Sequence, residues 1–224
     1  MSVFWGSVVA ILWKDVLLEL RTKDIVASLV VFVLLTVVIF NFTIERNADI
    51  AMMVTPGVLW SAFVFAGILA LNRVFVLEKE QGSLIGLMLC PVGRDAIYFG
   101  KMLGTLVFML TIELLMYPVF AVLFDIPLLQ PRLLIVAFLA TLGFASVGTV
   151  FAAIAVNTRS REIMLPVLCF PVMLPLIIAA VQLTGGVLNG DTWTEMARPL
   201  QILIIFDILF VLVSSLIFDH VLEG

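Results

Sequence analysis

The sequence predicts an all-α membrane protein. Six transmembrane helices are expected, with an amphipathic helix ahead of them and a short cytoplasmic helix between the second and third. Three observations predict this class. First, hydrophobic residues fill 63% of the 224 positions and charged residues only 12%, against roughly 45–50% and about 25% in soluble domains. Such a chain has too little polar surface to cover itself in water, so lipid must cover it. Second, uncharged runs near the roughly 20 residues that a helix needs to cross a core of about 30 Å recur along the chain. Third, the short alternating segments of a membrane β-barrel do not recur.

Residues 1–23 are expected to lie in the interface rather than to span. Their uncharged run is too short to cross. Lys14, Asp15, Glu19 and Thr22 share one arc, and Trp5, Val9, Leu12, Val16 and Leu20 recur at helical spacing on another. With two tryptophans, that pattern suits a helix in the membrane surface. The opening MSVFWGSVVAIL has no basic lead and no small-x-small site, so no cleavable signal is expected.

The first span is IVASLVVFVLLTVVIFNFTI, 25–44. The others are expected at about 51–72, 98–124, 133–156, 163–184 and 200–218. No linker or low-complexity tract divides them, so 1–224 reads as a single membrane domain. Basic residues set the orientation. With the N-terminus in the cytoplasm, nine of the 12 Lys and Arg residues fall inside, and only Arg46, Arg132 and Arg198 fall outside. Both termini, the stretch 78–97 and the loop NTRSRE, 157–162, are then cytoplasmic.

The chain lacks GxxxxGK[ST], HExxH and GxSxG, so neither ATP binding by a P-loop nor these proteolytic chemistries is expected of it. Cys90 and Cys169 form no CxxC pair and are not expected to bridge. His220 is the lone histidine, too few for a metal or haem site built from this chain alone. No catalytic residue, metal or chain-bound cofactor is therefore expected, and no nucleic-acid contact.

The densest local signal is EKEQGSLIGLMLCPVGRDAIYFGK, 78–101. Glu78, Lys79 and Glu80 make a charged turn, and Ser83 can cap a new helix. Leu84, Ile85, Leu87, Met88 and Leu89 give it an apolar surface before Pro91 and Gly93 stop it. The expected product is a short amphipathic helix across the cytoplasmic mouth of two spans. It suits docking to another protein, or anchoring of the loop in lipid.

Inside the spans, Glu113 and Asp207 stand out. A carboxylate at mid-membrane costs roughly 2.5–3.5 kcal/mol on insertion scales. For Glu113 two readings stand: a polar lining that changes during a working cycle, or a protonated side chain hydrogen-bonded to a neighbouring helix. Asp207 suits a structural role near the interface. Pro166, Pro171 and Pro175 each remove a backbone donor from the fifth span, as a hinge or as a static kink. Gly143, Ala145 and Gly148 make a small-residue face of the kind that packs helices together. Phe206 and Phe210 suit lipid or core.

These features together resemble the permease subunits of ABC-2-type exporters, in which the short helix between spans two and three is the coupling helix. The loose family pattern ERxxGxLExLxxxP reads here as Glu80-Gln81-Gly82-Ser83-Leu84-Ile85-Gly86-Leu87 with Pro91, and Gly86 stands where many members carry a polar group. Two further stretches narrow the resemblance to the CcmB family. TPGVLWSAFVFAGILALNRVF, 55–75, looks like its second span, and LPVLCFPVMLPLIIAA, 165–180, is similar to its proline-rich fifth span.

The resemblance implies a bacterial inner-membrane permease that works with an ATPase (CcmA-like), a haem-binding membrane protein (CcmC-like) and a small subunit (CcmD-like). Haem would be the cargo of the complex, passed to a periplasmic chaperone (CcmE-like), and ATP would bind the partner subunit. Glu78, Glu80, Gly82, Leu84, Leu87 and Pro91 are the residues expected at the ATPase contact. Pairing of two copies is compatible with this class. Two other functions remain open: an ABC-2 permease for another amphiphile, such as a lipid, drug or polysaccharide, and a scaffold that organises a haem-binding partner without transporting.

Overall fold

The computed structural model describes residues 2–22, 24–43, 48–74, 92–156, 158 and 161–221. Among them the secondary structure is wholly α-helical, in seven helices: α1 (Ser2–Thr22), α2 (Asp24–Thr43), α3 (Ala48–Val74), α4 (Arg94–Phe124), α5 (Pro131–Ala155), α6 (Arg161–Asn189) and α7 (Ala197–Val221). Five of them carry apolar stretches long enough to cross a membrane: Ile50–Asn72, Arg94–Phe124, Pro131–Ala155, Ile163–Asn189 and Ala197–Phe218.

The expected first span corresponds to α2. Its described apolar stretch is Leu29–Phe42, about 21 Å at about 1.5 Å per residue. By length and apolarity, five of the helices among the described residues qualify as spans, against the six expected.

Helix ends differ from expectation for local reasons. The third span is expected from about residue 98, but α4 already begins at Arg94, with Gly93 at its N-cap and Asp95 in its first turn. The acidic first turn faces the positive end of the helix dipole. Pro131 opens α5 at the position where a missing N–H costs nothing. Beyond the expected end at 184, α6 runs through Gly185 and Gly186 to Asn189. Gly186 is packed there: a Cβ would sit 2.5 Å from the Met196 sulfur. The chain then reverses at Gly190, φ +85°. At the end of α4 the reversal falls on Asp125, φ 52° and ψ 45°, a left-handed conformation that a short polar side chain tolerates.

α5 is the centre of the bundle and packs against α3, α4, α6 and α7. In lipid no water is expelled from between helices, so close packing must hold them. The sequence of α5 supplies that: Gly143, Ala145, Ser146, Gly148 and Thr149 are all buried. Gly148 is pressed by Leu71 of α3, and Gly143 by Leu176 of α6 and by Phe206 and Asp207 of α7. On α3, a Cβ at Gly67 would lie 2.5 Å from the Phe144 ring and 2.8 Å from Met109. Two polar ties cross the bundle as well. Trp60 Nε1 donates to Thr184 Oγ1 at 2.9 Å, and Asn41 Nδ2 donates to the Leu123 carbonyl at 2.6 Å. The small-residue face of α5 thus serves helix packing.

Candidate functional site: ionisable groups between helices

Two carboxyl groups lie inside the bundle. Glu113 is on α4 and Asp207 on α7, with relative exposures of 3% and 5%. Both face α5. Thr141 Oγ1 lies 2.9 Å from Glu113 Oε2 and 2.7 Å from the carbonyl oxygen of Ala137. Asp207 sits on the bare backbone of Gly143, where a Cβ would collide with its Oδ1. Among the described residues, Glu113 Oε1 and both Asp207 oxygens have no hydrogen-bond partner.

The two groups share one depth. The α4–α5 loop and the α6–α7 loop close the same end of the bundle. Measured from that end, Glu113 is 11 residues inside α4 (124 − 113), Thr141 is 10 inside α5 and Asp207 is 10 inside α7. At about 1.5 Å per residue that is about 15 Å, close to the middle of a core of about 30 Å. Asp207, expected near the interface, lies at the level of Glu113 because its helix starts at Ala197. Phe206, its chain neighbour, meets Phe210 in a tilted ring pair with centroids 4.3 Å apart.

A third ionisable cluster went unread in the sequence. Lys101 of α4 is 1% exposed and lies 3.0 and 3.2 Å from the two carboxylate oxygens of Asp15 on α1. Beside it, Gly100 receives α1: a Cβ there would lie 2.8 Å from the Ile11 side chain. Gly104 is in contact range of Asp15 itself, at 3.5 Å. Phe4 meets Phe99 edge to face.

The structure adds a contact to the expected arcs of α1. Val8 and Ile11 are the residues that α1 buries, whereas Trp5 and Val9 are uncovered, and Asp15 turns from the supposed polar arc toward α4. The signal was legible in principle. Gly100-Lys101-Met102-Leu103-Gly104 places a lysine between two small residues one helical turn apart, the spacing that lets another helix approach.

The three prolines lie within a helix that is continuous from Arg161 to Asn189. Pro171 and Pro175 are on its exposed face and Pro166 is half-buried. Cys169 is a buried free thiol. Glu78, Glu80, Gly82, Leu84, Leu87 and Pro91 lie outside the described residues, as do Cys90 and the side chain of His220.

The loop from Gly190 to Met196 is well tied. The Thr192 amide and hydroxyl donate to Glu195 Oε2 at 2.7 and 2.8 Å. These bonds, the backbone one foremost, hold the Glu195 carboxyl below its ordinary value. Arg132 donates to the Asp191 carbonyl and lies over the Trp193 ring.

Long apolar helices around buried, paired and unpaired ionisable groups define a multi-pass membrane protein. The chain belongs to the CcmB family, whose description, CcmB protein, it matches over residues 6–223. It is 29% identical to heme exporter protein B of Rhodobacter capsulatus over 87% of this chain and 88% of the relative. It is 27% identical to heme exporter protein B of Paracoccus denitrificans, over 84% and 87% of the two chains. The Pseudomonas aeruginosa protein of the same description is 26% identical over 75% and 76%.

Proposed function

We propose that this chain is the permease subunit of an ABC-type haem exporter serving cytochrome c assembly. The observation that carries the reading is the family match over residues 6–223, with relatives described as heme exporter protein B aligned along most of their length. In this reading α2 is a sixth span, both termini face the cytoplasm of a bacterial inner membrane, and α1 lies along the cytoplasmic surface. ATP binds and is hydrolysed on a separate CcmA-like subunit.

The segment 78–97 passes that motion to α3 and α4, the helices on either side of it. Glu78, Glu80, Gly82, Leu84, Leu87 and Pro91 make the contact. Haem is the cargo of the complex, with a CcmC-like haem-binding protein and a CcmD-like subunit alongside, and a CcmE-like chaperone receives it outside. This chain supplies no ligand to haem in the reading. It supplies a helical body that two arrangements can share. Pro166, Pro171 and Pro175 weaken the backbone ladder of α6 and make it the natural place for bending.

The test is co-purification in mild detergent from cells that express the neighbouring genes. An ATPase and a haem-carrying membrane protein are expected with the intact chain. Leu84→Asp with Leu87→Asp is expected to lose the ATPase while the chain still inserts. Normal recovery of the ATPase with that double variant overturns the contact assigned to 78–97. An ATPase without any haem protein points instead to a permease for another amphiphile.

A further inference from the structure

The hydrogen count at Thr141 is informative. Its hydroxyl has one proton and two oxygen neighbours, the Ala137 carbonyl at 2.7 Å and Glu113 Oε2 at 2.9 Å. If the hydroxyl donates to the carbonyl, the nearer of the two, the contact with Glu113 needs a proton from Glu113. That makes Glu113 a carboxylic acid, donating to Thr141 Oγ1. Its other oxygen, Oε1, is then a neutral carbonyl. Leaving that oxygen without a partner costs far less than leaving half of a buried carboxylate without one.

Asp207 leads to the same state by a different route. It is 5% exposed and has no partner at either oxygen among the described residues. An ionised carboxylate there would need a cation, and among the described residues the helices packed around the two groups offer none at that depth. Along α4 itself, Lys101 is 12 residues from Glu113 (113 − 101) and is paired with Asp15 of α1, about 18 Å away at about 1.5 Å per residue. Arg94 and Asp95 in its first turn, with Tyr98 and Tyr117, are the other titratable groups within that helix. α5 carries only Arg132, in its first turn, and α7 carries Arg198 near its start and Asp219 and His220 near its end. α3 has Asp49 and Arg73 near its ends, α2 has Asp24 at its start, and α6 has Arg161 and Glu162 at its start with Cys169 beyond. Lys14, Glu19 and Arg21 complete the set, on α1.

We propose that Glu113 and Asp207 form a proton-binding layer on two sides of α5, each holding one proton as a neutral carboxylic acid while the α4–α5 and α5–α7 seams are closed. Thr141 is the positioning residue that orients the Glu113 acid. Parting either seam far enough to admit water removes the reason for holding the proton. Opening of the bundle is thereby linked to proton release at mid-membrane.

The test is infrared difference spectroscopy of the complete protein in lipid in neutral buffer. A carboxylic acid shows a C=O stretch that a carboxylate lacks. Subtracting Glu113→Gln from the unchanged protein is expected to leave one such band, and subtracting Asp207→Asn a second. Both amides match the acids in shape, and both present an N–H where the acid presents an O–H. Should either variant fail to assemble, carboxyl-¹³C glutamate or aspartate in the unchanged chain shifts the same bands and gives the same answer. Acid bands that disappear with each change support the layer. Carboxylate bands alone, lost in their place, overturn it.

Discussion

The pairing of Asp15 with Lys101 gives the sharpest energetic prediction. Lys101 is 1% exposed, and the Asp15 side chain is 19% exposed. The lysine therefore depends on its partner more than the aspartate does. At 3.0 Å and an effective dielectric of about 20, the attraction is about 5.5 kcal/mol before desolvation is set against it. Breaking a buried pair by removing one member typically costs about 3–5 kcal/mol. The partial exposure of Asp15 moves the expectation to the lower end, about 3 kcal/mol for Asp15→Asn. In a chain of this size each kcal/mol is worth roughly 2–4 °C, so a fall of roughly 6–12 °C is expected.

Lys101→Met should cost clearly less, because the aspartate is partly exposed and keeps Lys14 at 3.3 Å. The combined Asp15→Leu and Lys101→Met variant should recover most of the loss, since apolar packing can replace a buried pair at little cost. The assay is thermal unfolding in one detergent, read by size-exclusion fluorescence. Asp15→Asn and Lys101→Met with equal losses below about 1 kcal/mol, and a double variant no better than either, would refute the reasoning.

Gly67→Ala should destabilise by about 1–3 kcal/mol through overpacking, since the new methyl meets the Phe144 ring at 2.5 Å. Gly57→Ala on the same helix meets nothing within 4 Å and should instead stabilise, by up to about 1 kcal/mol. Comparing the two melting shifts checks both. Trp60→Phe removes the donor to Thr184 and should cost about 1 kcal/mol, read in the same melts. Glu195 titrates below its ordinary value, so its tie to Thr192 is fully present above the ordinary carboxylate range and is lost as pH falls through the lowered value. Hydrogen exchange at the Thr192 amide should show protection fading on acidification, and Glu195→Gln should remove that acid dependence.

How far the fold could be read depended on which signal each helix carries. Long apolar runs located α3 to α7 to within a few residues, because length and apolarity are properties of the segment itself. The overrun of α6 past Gly185 and Gly186 was hidden, since the glycine pair reads as a helix stop and only the approach of Met196 shows why Gly186 belongs inside the helix. For α1 the helix was legible and its buried face was not. Helical spacing groups Trp5 with Val9, but the partner selects Val8 and Ile11, because that face meets Gly100.

Glu113 and Asp207 were visible as costly residues. Their shared depth was not, because it depends on where α4, α5 and α7 begin and how they pair. Lys101 was missed because it reads as one more basic residue at the end of a span, and only its pairing with Asp15 sets it apart.

The central claim is haem export for cytochrome c assembly, and deletion of the gene tests it most directly. Membranes of the deletion strain would be read for covalently bound haem on denaturing gels and by reduced-minus-oxidised absorbance. The account predicts that all c-type cytochromes disappear, that b-type haem remains, and that a plasmid copy restores the missing bands. Normal c-type cytochromes in the deletion strain would contradict it.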